Sequence, residues 1–158
     1  MPTRVPGELL GIMTRPDASP GCHLLFVYGT LRQGFELHHH LVRIGAKLTG
    51  RGKVAGDLFD LGRYPAALPS NRSGRRIHGE VYYLPRPEHD LRVLDGIEGF
   101  NLCASERGEF VRAMTEVSRE GGEPYRAWVY WLNRSAPRGR RIASGDYLQW
   151  QVRGDTRV

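Results

Sequence analysis

The first strong pattern along the chain is the unbroken apolar run Leu24-Leu25-Phe26-Val27-Tyr28. Apolar residues without polar alternation predict a strand buried on both faces, and Gly29 stops it. After Gly34, the residues Leu37, Leu41, Ile44 and Leu48 recur at helical spacing and predict one helix with a single stripe against a core. Residues 53–61 and 77–84 carry β-branched, aromatic and aliphatic side chains between turn-forming residues, so two further strands are predicted. A short helix is predicted over residues 88–94, started near Pro85 and Pro87 and closed by Gly96. The runs at 110–118 and 125–132 flank Glu120-Gly121-Gly122-Glu123, whose glycine pair suits the positive φ angles of a hairpin. Ser144 is a candidate cap for a short closing helix.

Many short strands with two or three helices predict a mixed α/β (α+β) domain, its sheet largely antiparallel and curled towards a small barrel with flanking helices. A chain of 158 residues fits one such domain. Residues 1–21, with Pro2, Pro6, Pro16 and Pro20, read as an irregular leader holding at most a short ordered piece at 9–13. Residues 22–150 read as the domain and 151–158 as a tail. No fixed-period repeat or heptad pattern is present.

Charge and cysteine content narrow the class. The net charge is +6, and the arginines cluster at Arg72, Arg75 and Arg76 and at Arg138, Arg140 and Arg141. Neither cluster is interleaved with aromatic residues, as a base-stacking surface would be, so no nucleic-acid partner is expected. These are solvated loop charges that also favour anionic small molecules by long-range attraction. Two cysteines, Cys22 and Cys103, suit neither a disulfide scaffold nor a zinc site. With no apolar run long enough to span a bilayer, the expectation is a cytoplasmic protein without a membrane partner. His38, His39 and His40 invite a metal reading, but consecutive helical positions point about 100° apart and cannot converge on one ion. No metal site is expected.

Two short segments could carry chemistry. In Tyr28-Gly29-Thr30-Leu31-Arg32 a buried strand runs into glycine and a polar turn, where N–H groups released from the ladder can cradle a carboxylate or an oxyanion. The bland alternative is that Gly29 turns the chain and Thr30 caps something local. In Leu94-Asp95-Gly96-Ile97-Glu98-Gly99-Phe100 two carboxylates stand between glycines. Glu98, between Ile97 and the compact Gly99, could be kept partly dry and act as a general base; Asp95 looks like a local capping group. An ordinary surface turn explains the same residues. No nucleophile elbow or phosphate loop occurs, and Asp57 and Asp60 fall on different faces of a strand rather than forming a pair.

Taken in order, the segments 26–32, Gly56-Asp57-Leu58-Phe59-Asp60-Leu61-Gly62-Arg63-Tyr64-Pro65-Ala66, His78-Gly79-Glu80-Val81-Tyr82 and 94–100 resemble the γ-glutamylcyclotransferase-like (AIG2-like) family. The similarity runs from about Leu24 to about Leu148 and takes in Ala127-Trp128-Val129-Tyr130. It implies a small barrel with a cavity at one end, and an enzyme that converts a γ-glutamyl amine or γ-glutamyl amino acid to 5-oxoproline and a free amine. By position Glu98 matches the catalytic glutamate, and Tyr28, Gly29, Thr30 and Leu31 match the substrate loop. Tyr64 and Tyr147 are further substrate-binding candidates, with Arg112 beside them. The reaction implied needs no cofactor, because the substrate's own α-amine is the nucleophile. Phe110 stands where many relatives carry tyrosine, which bears on the particular substrate. A non-catalytic binding or regulatory module on the same fold is the competing reading. An accessory enzyme removing a γ-glutamyl protecting group would share the mechanism. Oligomeric state is not legible in the sequence.

Overall fold

The structure is a computed structural model that describes residues 22–62, 64–97, 110–133 and 139–156, with side chains through residue 153. The expectations for the 1–21 leader, Glu98 and Cys103 lie outside the described residues.

Seven strands and three helices make up the described residues: β1 (Leu24–Val27), α1 (His38–Arg43), β2 (Lys47–Asp60), β3 (Pro65–Pro69), β4 (Arg76–Tyr83), α2 (Pro87–Asp95), β5 (Phe110–Val117), β6 (Tyr125–Leu132), β7 (Arg140–Ile142) and α3 (Tyr147–Thr156). The sheet order is β3-β2-β4-β1-β6-β5, with β7 on β2. Every pairing is antiparallel except β1 with β6. Reciprocal backbone bonds of 2.9 Å between Lys53 and Ser118 tie the end of β5 back to β2, so the sheet curls into a half-barrel. The architecture is the mixed α+β, mostly antiparallel barrel with flanking helices that the sequence pattern predicts.

Strand alternation sorts the core into two layers. Phe26 and Tyr28 of the first run join Val54, Ile77, Val81, Ala127 and Val129 in one cluster. Leu25 and Val27 point the other way and meet Leu41, Leu84, Leu91 and Leu94, so α1 and α2 cover that face. β1, between β4 and β6, is thus apolar on both sides, which is why its sequence shows no alternation. Gly79 lets β4 pass this crowded strand: a Cβ there would lie 2.3 Å from the Val27 carbonyl oxygen.

Four local expectations are corrected. The helix predicted through Leu48 ends at Arg43, and Leu48 lies on β2 with 49% of its surface exposed. Gly45, at φ +82°, ends the stripe after Ile44 and starts β2 six residues earlier than its apolar pattern suggests. Only Gly121 of the hairpin glycines takes a positive φ, +70°. The cap of α3 is Asp146, whose Oδ1 accepts the N–H of Leu148 at 3.1 Å; Ser144 Oγ instead accepts the Asp146 N–H. α3 then continues to Thr156, into the stretch expected as a tail.

Candidate active site

The end of β1 and the turn after it form one wall of an apolar recess. Tyr28, Gly29, Thr30 and Leu31 line it together with Pro65 at the start of β3, Phe110 at the start of β5 and Tyr130 of β6. It encloses about 30 Å³, room for about two water-sized groups, and opens to solvent.

The turn is built from its own carbonyls. Gly29 C=O accepts the Arg32 N–H at 2.9 Å, Thr30 C=O accepts the Leu37 N–H at 3.0 Å, and Leu31 C=O lies 3.0 Å from His38 Nδ1. These bonds hold the turn in a fixed conformation at the end of β1. Gly29 is required by close packing, since a Cβ there would stand 2.5 Å from Pro65 Cγ. The Thr30 hydroxyl is buried and has no hydrogen-bond partner among the described residues. An unpaired hydroxyl costs stability, and it is this recess that its residue lines. The Tyr28 phenol donates to the Tyr130 carbonyl at 2.6 Å, and burial raises its pKa well above the ordinary range, so it serves as wall rather than acid.

Opposite the turn lies an ion-pair cluster. Asp95, the last residue of α2, takes both Nε and Nη2 of Arg112 at 2.9 and 2.7 Å and the Tyr130 hydroxyl at 2.5 Å. Arg112 also sits over the Trp128 ring, 4.9 Å from its centroid. Burial, then the Asp95 charge, hold the Tyr130 phenol neutral far above its usual pKa. Burial works against the Arg112 charge but is outweighed by the bonds from Asp95. Asp95 is therefore not the local cap expected: its partners are 17 and 35 residues away. At its other end, α2 is fixed by fully buried Asp90, whose Oδ2 accepts the Arg86 N–H at 2.9 Å.

Beyond Asp95, Ile97 is buried in the same cluster as Val27, Leu31, Phe110 and Tyr130. Ile97 thus shares a core cluster with four residues that line the recess, and Glu98 follows it in sequence outside the described residues. Tyr64 borders the recess through Phe110, with ring centroids 5.9 Å apart. Tyr147 lies in the other core layer, against Phe35 at 5.3 Å. Among the described residues, no group of three or more His, Cys, Asp or Glu is placed to hold a metal. The Asp57 and Asp60 carboxylates are engaged separately, with Arg75 and with Trp150 Nε1. Pro65 and Tyr130 were missed as site residues in the sequence because no local motif marks a wall assembled from distant strands; Phe110, singled out there as bearing on the substrate, lines the recess with them. No described helix is long and apolar enough to cross a membrane.

The chain is similar in sequence and in fold to known proteins. A γ-glutamylcyclotransferase-family protein of Escherichia coli K12 is 32% identical over 78% of this chain and 95% of its own length. A γ-L-glutamyl-butirosin B γ-glutamyl cyclotransferase of Niallia circulans is 34% identical over 70% of this chain and 67% of its own. Among solved structures, an uncharacterised protein of Pyrococcus horikoshii superposes with a TM-score of 0.62 at 26% identity, covering 85% of this chain and 98% of that one. A mouse AIG2-like protein gives 0.59 at 29% identity, covering 73% and 80%. Residues 25–149 match the family model for γ-glutamyl cyclotransferase, AIG2-like, and the chain belongs to that family.

Proposed function

We propose that the protein cyclises a γ-glutamyl amine or γ-glutamyl amino acid to 5-oxoproline and releases the free amine, with Glu98 as general base and then general acid. The observation that supports this reading is that Ile97, which precedes Glu98 in sequence, is buried in the same core cluster as Leu31, Phe110 and Tyr130, three residues that line the recess. The Glu98 carboxylate takes a proton from the substrate's α-ammonium, and the freed amine attacks the γ-carbonyl carbon. One C–N bond closes the five-membered ring and puts negative charge on the carbonyl oxygen. The old C–N bond then breaks as Glu98 returns the proton to the leaving amine, and the ring nitrogen gives up its second proton, which leaves on the amine as its ammonium. No water is consumed.

The protein's task in this scheme is to fold the glutamyl chain back on itself, an intramolecular advantage, and to stabilise the charge that develops. The N–H groups of the 28–31 turn suit the substrate carboxylate or the oxyanion. The recess is small and open to solvent, so its walls place little constraint on the amine released. The name of the Niallia relative adds a γ-glutamyl-butirosin linkage to those worth assaying.

The test is a panel of γ-glutamyl amines, amino acids and peptides assayed for 5-oxoproline. Glu98→Gln should lower kcat by about 10²- to 10⁴-fold, the usual range for a lost acid–base group, with binding retained. Turnover that survives Glu98→Gln would refute the assignment. Saturable binding without turnover of any compound would favour a binding module instead.

A further inference from the structure

A second cavity, of about 350 Å³ and lined largely by polar residues, shares no lining residue with the recess, although Arg32 in its wall directly follows Leu31. Its floor is the outward face of β2 and β4, where Arg51 pairs in register with Glu80 and Lys53 with His78. Arg51 and Lys53 are two positions apart on one strand and project from the same face, roughly 7 Å from one another. Neither has an ion-pair partner among the described residues. Arg119, at the start of the β5–β6 turn with its Nε donating to the Glu123 carbonyl at 3.2 Å, adds a third positive charge at the rim.

The fourth cation is set into the wall. Arg32 is only 3% exposed, and its Nη1 donates to Asp146 Oδ1 at 3.0 Å. Its Nε lies 3.8 Å from Glu80 Oε2, too long for a hydrogen bond, and has no partner among the described residues. Two acids line the same cavity, Glu120 and Asp146, and Asp146 is already held by Arg32 and by the N–H groups opening α3. The excess of unneutralised cations converging on one concavity is what the chain's net charge of +6 does not reveal, since that charge is spread along the sequence.

We propose that this cavity is a second binding site, separate from the recess at 28–31, that takes a small molecule carrying a dense oxyanion group, phosphoryl or polycarboxylate. Arg51 and Lys53 contact the anion, and Arg119 adds its charge at the rim, while Arg32, held by Asp146 and facing Glu80, forms the back wall.

Isothermal titration of the full chain with inorganic pyrophosphate and with citrate tests this at about 0.15 M salt, where loose surface attraction is screened. Saturable binding of one anion per chain is expected, weakened at least about tenfold in Arg51→Ala/Lys53→Ala. Arg43→Ala/Arg72→Ala, which removes two exposed cations lining neither cavity, should stay within about twofold. Preference for pyrophosphate or for citrate identifies the anion class. Amide shifts confined to Gly52, Gly79 and Ser118 during titration localise the site in the wild-type chain, whatever the variants do to folding. Absence of saturable binding up to about 10 mM, equal loss in both double variants, or shifts centred elsewhere would each overturn the proposal.

Discussion

Asp95 and Arg112 form a two-pronged ion pair that joins the last residue of α2 to the edge strand β5, with Tyr130 completing it. Their side chains are 16% and 20% exposed, so a stranded charge would be poorly hydrated. Arg112→Met should therefore cost about 2–4 kcal/mol of stability, near the range for breaking a buried pair. Asp95→Asn/Arg112→Met should cost less than the two single losses added together, because neither charge is left alone. As the pair fixes the chain just before Ile97 and Glu98, Asp95→Asn should also lower kcat by up to about 10²-fold, with a smaller change in KM. Urea unfolding and steady-state kinetics on the same variants check both parts; additive stability losses would show that the pair is not coupled.

Gly29 and Pro65 meet across the recess with no room for a methyl group between them. Gly29→Ala should destabilise the fold by about 1–3 kcal/mol and shift the turn. Removing the obstructing ring in Gly29→Ala/Pro65→Ala should restore part of the stability, and activity if the turn regains its position. Thermal melts that are identical for the single and double variants would mean that strain elsewhere, not this contact, sets the cost.

Much of this was legible in the sequence because local pattern and tertiary role agree. The 24–28 run is apolar throughout because β1 is covered on both faces, and the register Phe110 with Leu132 through Val117 with Tyr125 is the hairpin that its flanking residues predict. Where the two disagree, the sequence misled. β3 is bounded by Pro65 and Pro69 and contains Ala66 and Ala67, a composition with little strand preference; pairing with β2 makes it a strand. β7 has only three residues. The partners of Asp95 cannot be found by spacing, since both come from β5 and β6. The recess itself was visible only as the 28–31 turn, one wall among several.

The buried Thr30 hydroxyl offers a test that separates ligand binding from folding. Thr30→Val keeps the shape and removes a polar group with no partner among the described residues, so the fold should gain about 1 kcal/mol. If the hydroxyl serves the substrate, KM for the γ-glutamyl compound should rise several-fold in the same variant, on the scale of one lost hydrogen bond. A melting temperature that rises with unchanged KM would make the hydroxyl a bystander; one that falls would show that the hydroxyl is hydrogen-bonded in the folded chain.

His78 should make stability depend on mildly acidic pH. Burial lowers its pKa, Lys53 and Arg32 push the same way, and Asp146 opposes them; Arg51 and Arg119 line the same cavity. In the unfolded chain its pKa is about 6.5, so between that value and the lower folded one the unfolded state holds more protons. Stability therefore rises with pH through this window and falls as the solution is acidified below about pH 6.5. His78→Gln should remove that part of the slope while leaving acid unfolding by the carboxylates in place. Melting temperatures of both proteins from pH 5 to 8 provide the comparison. Parallel curves would place the titration on another histidine, whereas curves that converge at high pH and separate on acidification, with His78→Gln the more stable at pH 5, are the expected outcome.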